Sequence, residues 1–139
     1  MRTNGAANVL VVDDDPKAVE AIRAILGKMG EYNVQVARSG QECLHTVTQA
    51  LPDLILLDTV MPEMDGIQVL KELQARTECR AVPVLMVSVD APLDRIAACF
   101  ELGASGFLIK PFDADNLYRQ VQSAIARYRA SKLQYHRPR

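Results

Sequence analysis

Five short apolar runs, each followed by a segment with helical spacing of apolar residues, organise this chain of 139 residues. The runs have the length of strands, and a uniformly apolar run is typical of a parallel sheet that is covered on both faces. Strands that alternate with helices predict right-handed crossovers and a doubly wound α/β fold with a five-stranded parallel sheet. In chain order, the predicted strands are residues 9–12, 34–37, 54–57, 82–87 and 107–109.

Residues that suit helix N-termini precede several of the predicted helices. Asp15 is a favoured N-cap, and Pro16 suits the first helical position because its missing N–H would be unpaired there. Ser39 opens a Ser-Gly-Gln-Glu pattern with the spacing of a capping box, and Asp113 is placed to cap the last helix. The fourth helix is predicted from apolar residues at helical spacing, namely Leu93, Ile96, Ala97 and Phe100.

Composition excludes several classes of protein. The 16 basic and 17 acidic residues give a net charge of -1, so no overall field favours nucleic acid or an anionic membrane. Widely spaced Cys43, Cys79 and Cys99 favour reduced thiols in the cytoplasm over a disulfide framework or a zinc site. No apolar stretch has the ~18 residues of a membrane span, and no secretory signal is recognisable. We expect one cytoplasmic domain over residues 8–130, an N-terminal extension (1–7) and a basic C-terminal tail or linker start (131–139).

Charged and hydroxyl side chains follow four of the predicted strands. If the strand order is 2-1-3-4-5, the first, third, fourth and fifth strands adjoin, and these side chains converge on one crevice. Ligands of such sheets bind beyond the carboxyl ends of the strands. An aspartate after a strand often only caps a helix, as we expect for Asp15, but several converging groups predict a functional site. The groups are Asp13, Asp14, Asp58, Ser88 and Lys110.

Three carboxylates in one crevice repel one another. Two unit charges ~4 Å apart interact by about 4 kcal/mol at an effective dielectric near 20, so the cluster is costly without a cation. Carboxylate oxygens around an open site suit Mg²⁺, with Mn²⁺ as an alternative ion, and Mg²⁺ also shares ligands with phosphoryl oxygens. Lys110 adds a further positive charge. A carboxylate beside a divalent cation and a lysine is an arrangement that can form an aspartyl phosphate.

Four motifs lie at the ends of the predicted strands. They are VVDDDP at residues 11–16, DLILLD at 53–58 with MPEMDG at 61–66, VS at 87–88, and GFLIKPF at 106–112. With these motifs the chain resembles the receiver domains of bacterial response regulators, over about residues 8–130. The resemblance implies a flavodoxin-like fold with five helices and the strand order 2-1-3-4-5. It also implies a function in two-component signalling, similar to that of the chemotaxis response regulator.

The resemblance implies a role for each acidic residue of the crevice. Asp58 is expected to accept a phosphoryl group from a phosphohistidine donor. Asp14 and Asp58, together with the backbone carbonyl of Val60, are expected to bind Mg²⁺, while Asp13 acts mainly through a metal-bound water. Self-phosphorylation and self-dephosphorylation are the only reactions implied, so we do not expect an enzyme that acts on other substrates.

Three further residues are implied to sense the phosphoryl group. Ser88 is expected to bind a phosphoryl oxygen, and so to gain a hydrogen-bond partner that it lacks beforehand. Phe107 is expected to rotate inward as Ser88 moves. Lys110 is expected to bridge Asp58 or the phosphoryl group, aimed by a cis peptide bond to Pro111, since only bonds before proline take the cis form at low cost.

The chain departs from the family pattern beside the phosphoryl pocket. Val89 stands where relatives usually carry Ala or Gly, and its β-branched side chain is expected to narrow access. Val60 and Asp90 are the variable pair that flanks the pocket in the family. An apolar Val60 would not position a hydrolytic water, whereas Asp90 could repel or orient one. Our hypothesis is that these three residues govern the loss of phosphate.

Partners follow from the resemblance as well. The donor is expected to be a histidine kinase or a histidine phosphotransfer domain that docks near Pro16, Lys17 and Phe112. The recipient is expected to be a downstream effector protein or an effector domain absent from this sequence, with no direct contact to nucleic acid or membrane. The family's output surface is the face of the fourth helix, fifth strand and fifth helix, whose exposed residues here would be Asp94, Arg95, Tyr118, Arg119 and Gln122.

Three other functions fit the sequence less well. A phosphatase of the haloacid-dehalogenase type would open with Asp-x-Asp-x-Thr/Val, and this chain lacks both the Thr/Val and a cap domain. A dinucleotide- or flavin-binding domain would need a Gly-rich loop after the first strand, where this chain has three aspartates. A degenerate receiver would lack charged site residues that are all present here. The sequence leaves open whether the chain is a stand-alone regulator or the front of a longer one.

Overall fold

The computed structural model of the chain describes residues 6–30 and 32–135. Five strands and five α-helices alternate in this part of the chain, as predicted. The strands are β1 (Ala7–Val12), β2 (Tyr32–Ala37), β3 (Leu54–Asp58), β4 (Val84–Ser88) and β5 (Gly106–Ile109). The helices are α1 (Pro16–Met29), α2 (Gly40–Gln49), α3 (Gly66–Ala75), α4 (Leu93–Glu101) and α5 (Ala114–Tyr135).

The five strands form one parallel sheet in the order β2-β1-β3-β4-β5, which confirms the predicted topology. Apolar side chains alternate between two cores, one on each face, so the central strands are buried on both sides. The first, third, fourth and fifth strands therefore end beside one another. Within the described residues, no helix has the length and apolar character needed to span a membrane.

Several element boundaries differ from the predicted ones. β4 begins at Val84, because the N–H of Val82 bonds to the carbonyl of Cys79 and closes a short 3-10 turn. β1 begins at Ala7, and α5 continues to Tyr135. The domain limits at residues 8 and 130 stay a prediction, and residues 1–5 and 136–139 of the expected terminal segments lie outside the described residues.

Local capping sets where the helices begin. The side chain of Asp15 accepts a hydrogen bond from the N–H of Lys17, and Ser39 Oγ accepts one from the N–H of Glu42, as the sequence predicted. The cysteines are buried and form no disulfide, and burial raises the pKa of the Cys43 thiol to about 12. Cys43 is therefore an uncharged core residue at neutral pH.

Gly66 holds the start of α3 against the end of β3. A Cβ at this position would overlap with the carbonyl oxygen of Asp58 and lie 2.8 Å from the Cα of Thr59. The N–H of Gly66 donates to the carbonyl of Thr59 at 3.0 Å, and Asp65 and Gln68 complete a reciprocal capping box. Glycine is required here by this close approach, which fixes the segment that follows Asp58.

The apolar residues that predicted α4 lie mostly on its outer side. Leu93 is 84% exposed and Phe100 46%, whereas Cys99 is the buried residue of this helix. Ile109 at the end of β5 is 52% exposed on the neighbouring edge of the sheet. The helix exists as predicted, but much of its apolar surface does not belong to the core.

Candidate phosphoryl and metal site

Three carboxylates meet at the carboxyl ends of β1 and β3. Side-chain oxygens of Asp13, Asp14 and Asp58 all lie within 4.8 Å of one another, which confirms the predicted convergence. The strands pair in register, with Val12 opposite Leu57, so the residues that follow them emerge side by side. Asp13 and Asp58 are buried and Asp14 is exposed. The cluster is thus open to solvent on the side of Asp14.

Lys110 completes the cluster from the end of β5. Its Nζ lies 2.9 Å from Oδ2 of Asp13 and 3.8 Å from Oδ1 of Asp58. The N–H of Lys110 donates to the carbonyl of Ser88 at 2.7 Å, which ties the end of β5 to that of β4. The Lys110–Pro111 peptide bond is cis, as predicted. The lysine bridges two carboxylates, and its shorter contact is with Asp13.

The buried carboxylates of the site lie close enough to repel one another. Burial and the negative charge of Asp13 raise the pKa of Asp58 to about 6, against the opposing effects of Lys110 and the Val60 N–H. Burial acts to lower the pKa of Lys110, but its hydrogen bond to Asp13 and the charges of Asp58, Asp13 and Asp15 outweigh this and raise it. The positive charge of Lys110 therefore does not fully offset the repulsion between the carboxylates, and the site favours a further positive charge.

The donor set fits a hard divalent cation. Carboxylate oxygens in an open cluster are the ligands that Mg²⁺ and Mn²⁺ prefer. Both oxygens of Asp13 already accept hydrogen bonds, Oδ1 from the N–H of Asp15 and Oδ2 from Lys110, each at 2.9 Å. The N–H of Val60 lies 3.4 Å from Oδ1 of Asp58. Compared with Asp13, Asp14 and Asp58 thus have carboxylate oxygens that are more available to bind a cation.

The hydroxyl of Ser88 is already hydrogen-bonded in this structure. Its hydroxyl is buried and already has partners: Oγ donates to the carbonyl of Asp90 at 2.7 Å and lies 3.3 Å from the Asp90 N–H. It also accepts a hydrogen bond of 2.7 Å from Oγ1 of Thr59. Ser88 is therefore hydrogen-bonded before any modification, because the adjoining ends of β3 and β4 bring a second hydroxyl against it. Its bond to a phosphoryl oxygen stays a prediction.

Thr59 is a residue of this site that sequence reasoning missed. It follows Asp58 directly, is 4% exposed, and bonds through its N–H to the carbonyl of Val87 on β4. Asp58 pairs with Val87, so Thr59 lies opposite Ser88 in the continuing register. The sequence does contain one signal for Thr59, since it is a hydroxyl residue directly after the predicted strand end at Asp58.

The remaining predicted pocket residues lie in β5 or shortly after β3 and β4. Val60 and Val89 are 61% and 71% exposed, and Asp90 is also exposed. Phe107 is half-buried, lies opposite Met86 in the sheet and packs against the core on the same face as that residue. The structure therefore positions these side chains, while their roles in phosphate loss or switching stay predictions.

The two expected partner surfaces are only partly exposed. Pro16 and Lys17 are exposed near the cluster, whereas Phe112 is half-buried against the core. On the α4–β5–α5 face, the residues predicted to be exposed are so in three cases and half-buried in two. The exposed ones are Asp94, Arg119 and Gln122, and the half-buried ones are Arg95 and Tyr118.

The strand order, together with an acidic crevice and a lysine at the strand ends, defines a flavodoxin-like α/β protein whose charged side chains converge where ligands of such sheets bind. The sequence model of the response regulator receiver domain matches residues 9–122, and the chain belongs to this family. It is a receiver domain of the two-component type. This assignment excludes the dehalogenase-type phosphatase and the dinucleotide-binding domain considered above.

Known relatives agree with this assignment. The chain is 39% identical over 124 residues to transcriptional regulatory protein ZraR of Escherichia coli K12, covering 89% of this chain and 27% of that protein. It is 34% identical over 125 residues to response regulator Rre1 of Synechocystis, covering 89% and 54%. The receiver domain of Francisella response regulator 1452 superposes with a TM-score of 0.80 at 30% identity, covering 87% and 98%. The chain thus spans between about a quarter and about half of these two curated relatives.

Proposed function

We propose that Asp58 accepts a phosphoryl group from a phosphohistidine donor in a reaction that requires Mg²⁺ or Mn²⁺. The observation that carries this proposal is the approach of three carboxylates within 4.8 Å of one another, with Lys110 beside two of them. Such a cluster is electrostatically unfavourable in itself and becomes favourable when a divalent cation binds between the carboxylates. Self-phosphorylation and self-dephosphorylation are the only chemistry proposed.

The residues of the cluster would bind a cation in two ways, directly or through a water. Asp14 and Asp58 would ligate it directly, with the carbonyl of Val60 as a third protein ligand. Asp13 would act through a metal-bound water, since both of its oxygens already accept hydrogen bonds. When bound, the ion supplies positive charge that offsets the carboxylates and the phosphoryl oxygens.

In the proposed transfer, a carboxylate oxygen of Asp58 forms the new O–P bond while the P–N bond of the donor breaks. The electron pair of that bond stays on the imidazole nitrogen. The added phosphoryl group brings close to two negative charges and three acceptor oxygens, which Lys110 is positioned to offset. Ser88 would then turn to a phosphoryl oxygen, and Phe107 would move inward.

The donor and the recipient are proposed by class. A histidine kinase or a histidine phosphotransfer domain would dock near Pro16, Lys17 and Phe112. The α4–β5–α5 face would contact an effector, either another protein or a domain outside this sequence. The greater length of ZraR and Rre1, and the name of ZraR as a transcriptional regulatory protein, support the second alternative. We propose no direct contact of this domain with nucleic acid.

Mass spectrometry after incubation with acetyl phosphate tests the proposal. We expect one added phosphoryl group in the presence of Mg²⁺, none with EDTA, and none in the Asp58→Asn variant. Asp115→Asn, which removes an exposed carboxylate at the start of α5, is the matched control and should label like the wild type. Labelling of Asp58→Asn, or of the wild type in EDTA, would overturn the proposal.

A further inference from the structure

We infer that Thr59 is a positioning residue that holds the hydroxyl of Ser88 in its resting arrangement and thereby sets how readily the domain switches. This inference rests on the proposed function, because the switch it concerns is the turn of Ser88 toward a phosphoryl group on Asp58. It adds to that function a residue that restrains the change.

Ser88 Oγ is fully engaged before any modification. It donates to the carbonyl of Asp90, is approached by the N–H of Asp90, and accepts the hydroxyl of Thr59. A serine hydroxyl has one donor and two acceptor positions, so these three contacts use its whole capacity. To bind a phosphoryl oxygen, it must give up at least its bond to the Asp90 carbonyl.

Thr59 makes that change more costly because its own hydroxyl is buried. The residue is 4% exposed and Ser88 is 1% exposed, so water does not readily replace the bond between them. If Ser88 Oγ moves away, the Thr59 donor is left without this acceptor inside the protein. An unpaired buried donor disfavours the state that contains it by about tenfold or more.

The backbone prevents Thr59 from following Ser88. Its N–H is bonded to the Val87 carbonyl and its own carbonyl accepts the N–H of Gly66, each at 3.0 Å. Gly66 in turn lies so close to the Asp58 carbonyl that no Cβ fits. Thr59 is therefore fixed from β4 on one side and from α3 on the other, while Ser88 is the partner that moves.

Thr59→Val tests the inference, because valine keeps the branched shape and removes the hydroxyl. The probe is beryllofluoride with Mg²⁺, a phosphoryl-group analogue, with affinity measured by ¹⁹F NMR since the chain has no tryptophan. We expect Thr59→Val to bind the analogue about tenfold more tightly and Thr59→Ser to resemble the wild type. Amide exchange at Asp90, whose N–H faces Ser88 Oγ, should be faster in Thr59→Val without analogue. Thr59→Ala serves the same purpose if the valine variant does not fold.

Ser88→Ala supplies the control for a merely structural effect. In that background the acceptor of the Thr59 hydroxyl is gone, so Thr59→Val should leave analogue affinity unchanged. Equal or weaker binding by Thr59→Val, or the same gain in the Ser88→Ala background, would overturn the inference. Failure of the wild type to be labelled at Asp58 would overturn the proposed function instead. A labelled wild type with an unaltered Thr59→Val variant would remove only the role of Thr59.

Discussion

Lys110 and Asp13, 97 positions apart in the chain, form an ion pair with 2.9 Å between Nζ and Oδ2. The lysine approaches the proposed nucleophile, Asp58, less closely, at 3.8 Å. It is thus held mainly by a carboxylate other than the proposed nucleophile, which keeps the ammonium group near Asp58. Asp13 is buried and would be left as an uncompensated charge without the lysine.

Replacing Lys110 by Met should therefore impair the site through Asp58. Removing the ammonium group removes the main effect that lowers the pKa of Asp58, so this pKa should rise above about 6. We expect labelling by acetyl phosphate at pH 7 to slow by at least about tenfold, with the pH profile displaced to higher pH. Lys71→Met, an exposed lysine of α3, is the control. Equal labelling rates for the two variants would contradict this role.

Asp58→Asn should stabilise the metal-free protein at neutral pH. The pKa of Asp58 is raised from 3.8 to about 6 in the folded state, so folding favours the protonated form. The contribution of Asp58 to stability is complete below about pH 4 and is lost as pH rises through about 6. At pH 7.5 in EDTA, the variant should be more stable by on the order of 2 kcal/mol.

Thermal unfolding from pH 4 to 8 checks this prediction. The difference between Asp58→Asn and wild type should shrink toward pH 4, where the wild-type carboxyl is protonated. Mg²⁺ should raise the melting temperature of the wild type more than that of the variant, since one ligand is missing there. A wild type that is at least as stable as the variant at pH 7.5 in EDTA would refute the argument.

Gly66→Ala should destabilise the fold and disturb the site together. The added Cβ would overlap with the carbonyl oxygen of Asp58, which is backbone and has little freedom to move. We expect a loss of about 2–4 kcal/mol in the free energy of unfolding, with slower labelling of Asp58.

Gly27→Ala is the matched control for that change. Gly27 lies within α1, and a Cβ there meets no atom within 4 Å. Alanine favours the helix by about 0.5–1 kcal/mol over glycine, so this variant should be stabilised and should label normally. Chemical denaturation of both variants measures the contrast, and equal stabilities would be inconsistent with it.

Val89→Ala should shorten the lifetime of the phosphorylated form. Val89 is 71% exposed, next to Ser88, where its β-branched side chain is expected to narrow access to the pocket. Opening this access should speed hydrolysis by on the order of fivefold, which corresponds to about 1 kcal/mol in the barrier. Decay of the labelled protein, followed by mass spectrometry, measures the rate. Asp90→Ala should also alter it, and unchanged decay in both variants would disprove control by these residues.

The strand ends and the charged residues directly after them could be predicted from the apolar runs. The sheet order that brings Asp13, Asp14, Asp58 and Lys110 together was implied by the resemblance to receiver domains. The hydrogen bond between Thr59 and Ser88 could not be predicted. It depends on the register of β3 against β4 and on the face to which each side chain points, and a single sequence fixes neither.

The orientation of α4 escaped prediction for a similar reason. Apolar residues at helical spacing indicate an amphipathic helix, but not whether its apolar side faces a core or solvent. Here Cys99 is the buried residue, while Leu93 and Phe100 are largely outside. The sequence pattern predicts the helix, but the packing of neighbouring elements determines which side of it is buried.

The long separation between Lys110 and Asp13 has a consequence for synthesis on the ribosome. A nascent polypeptide that ends at β4 already contains all three aspartates but not the lysine, and its sheet lacks the final strand. If Asp58 is the acceptor we propose, an unfinished chain has no competent receiving site to offer a donor. The domain can then accept a phosphoryl group only after Lys110 has been translated, so that incomplete chains would take no part in signalling.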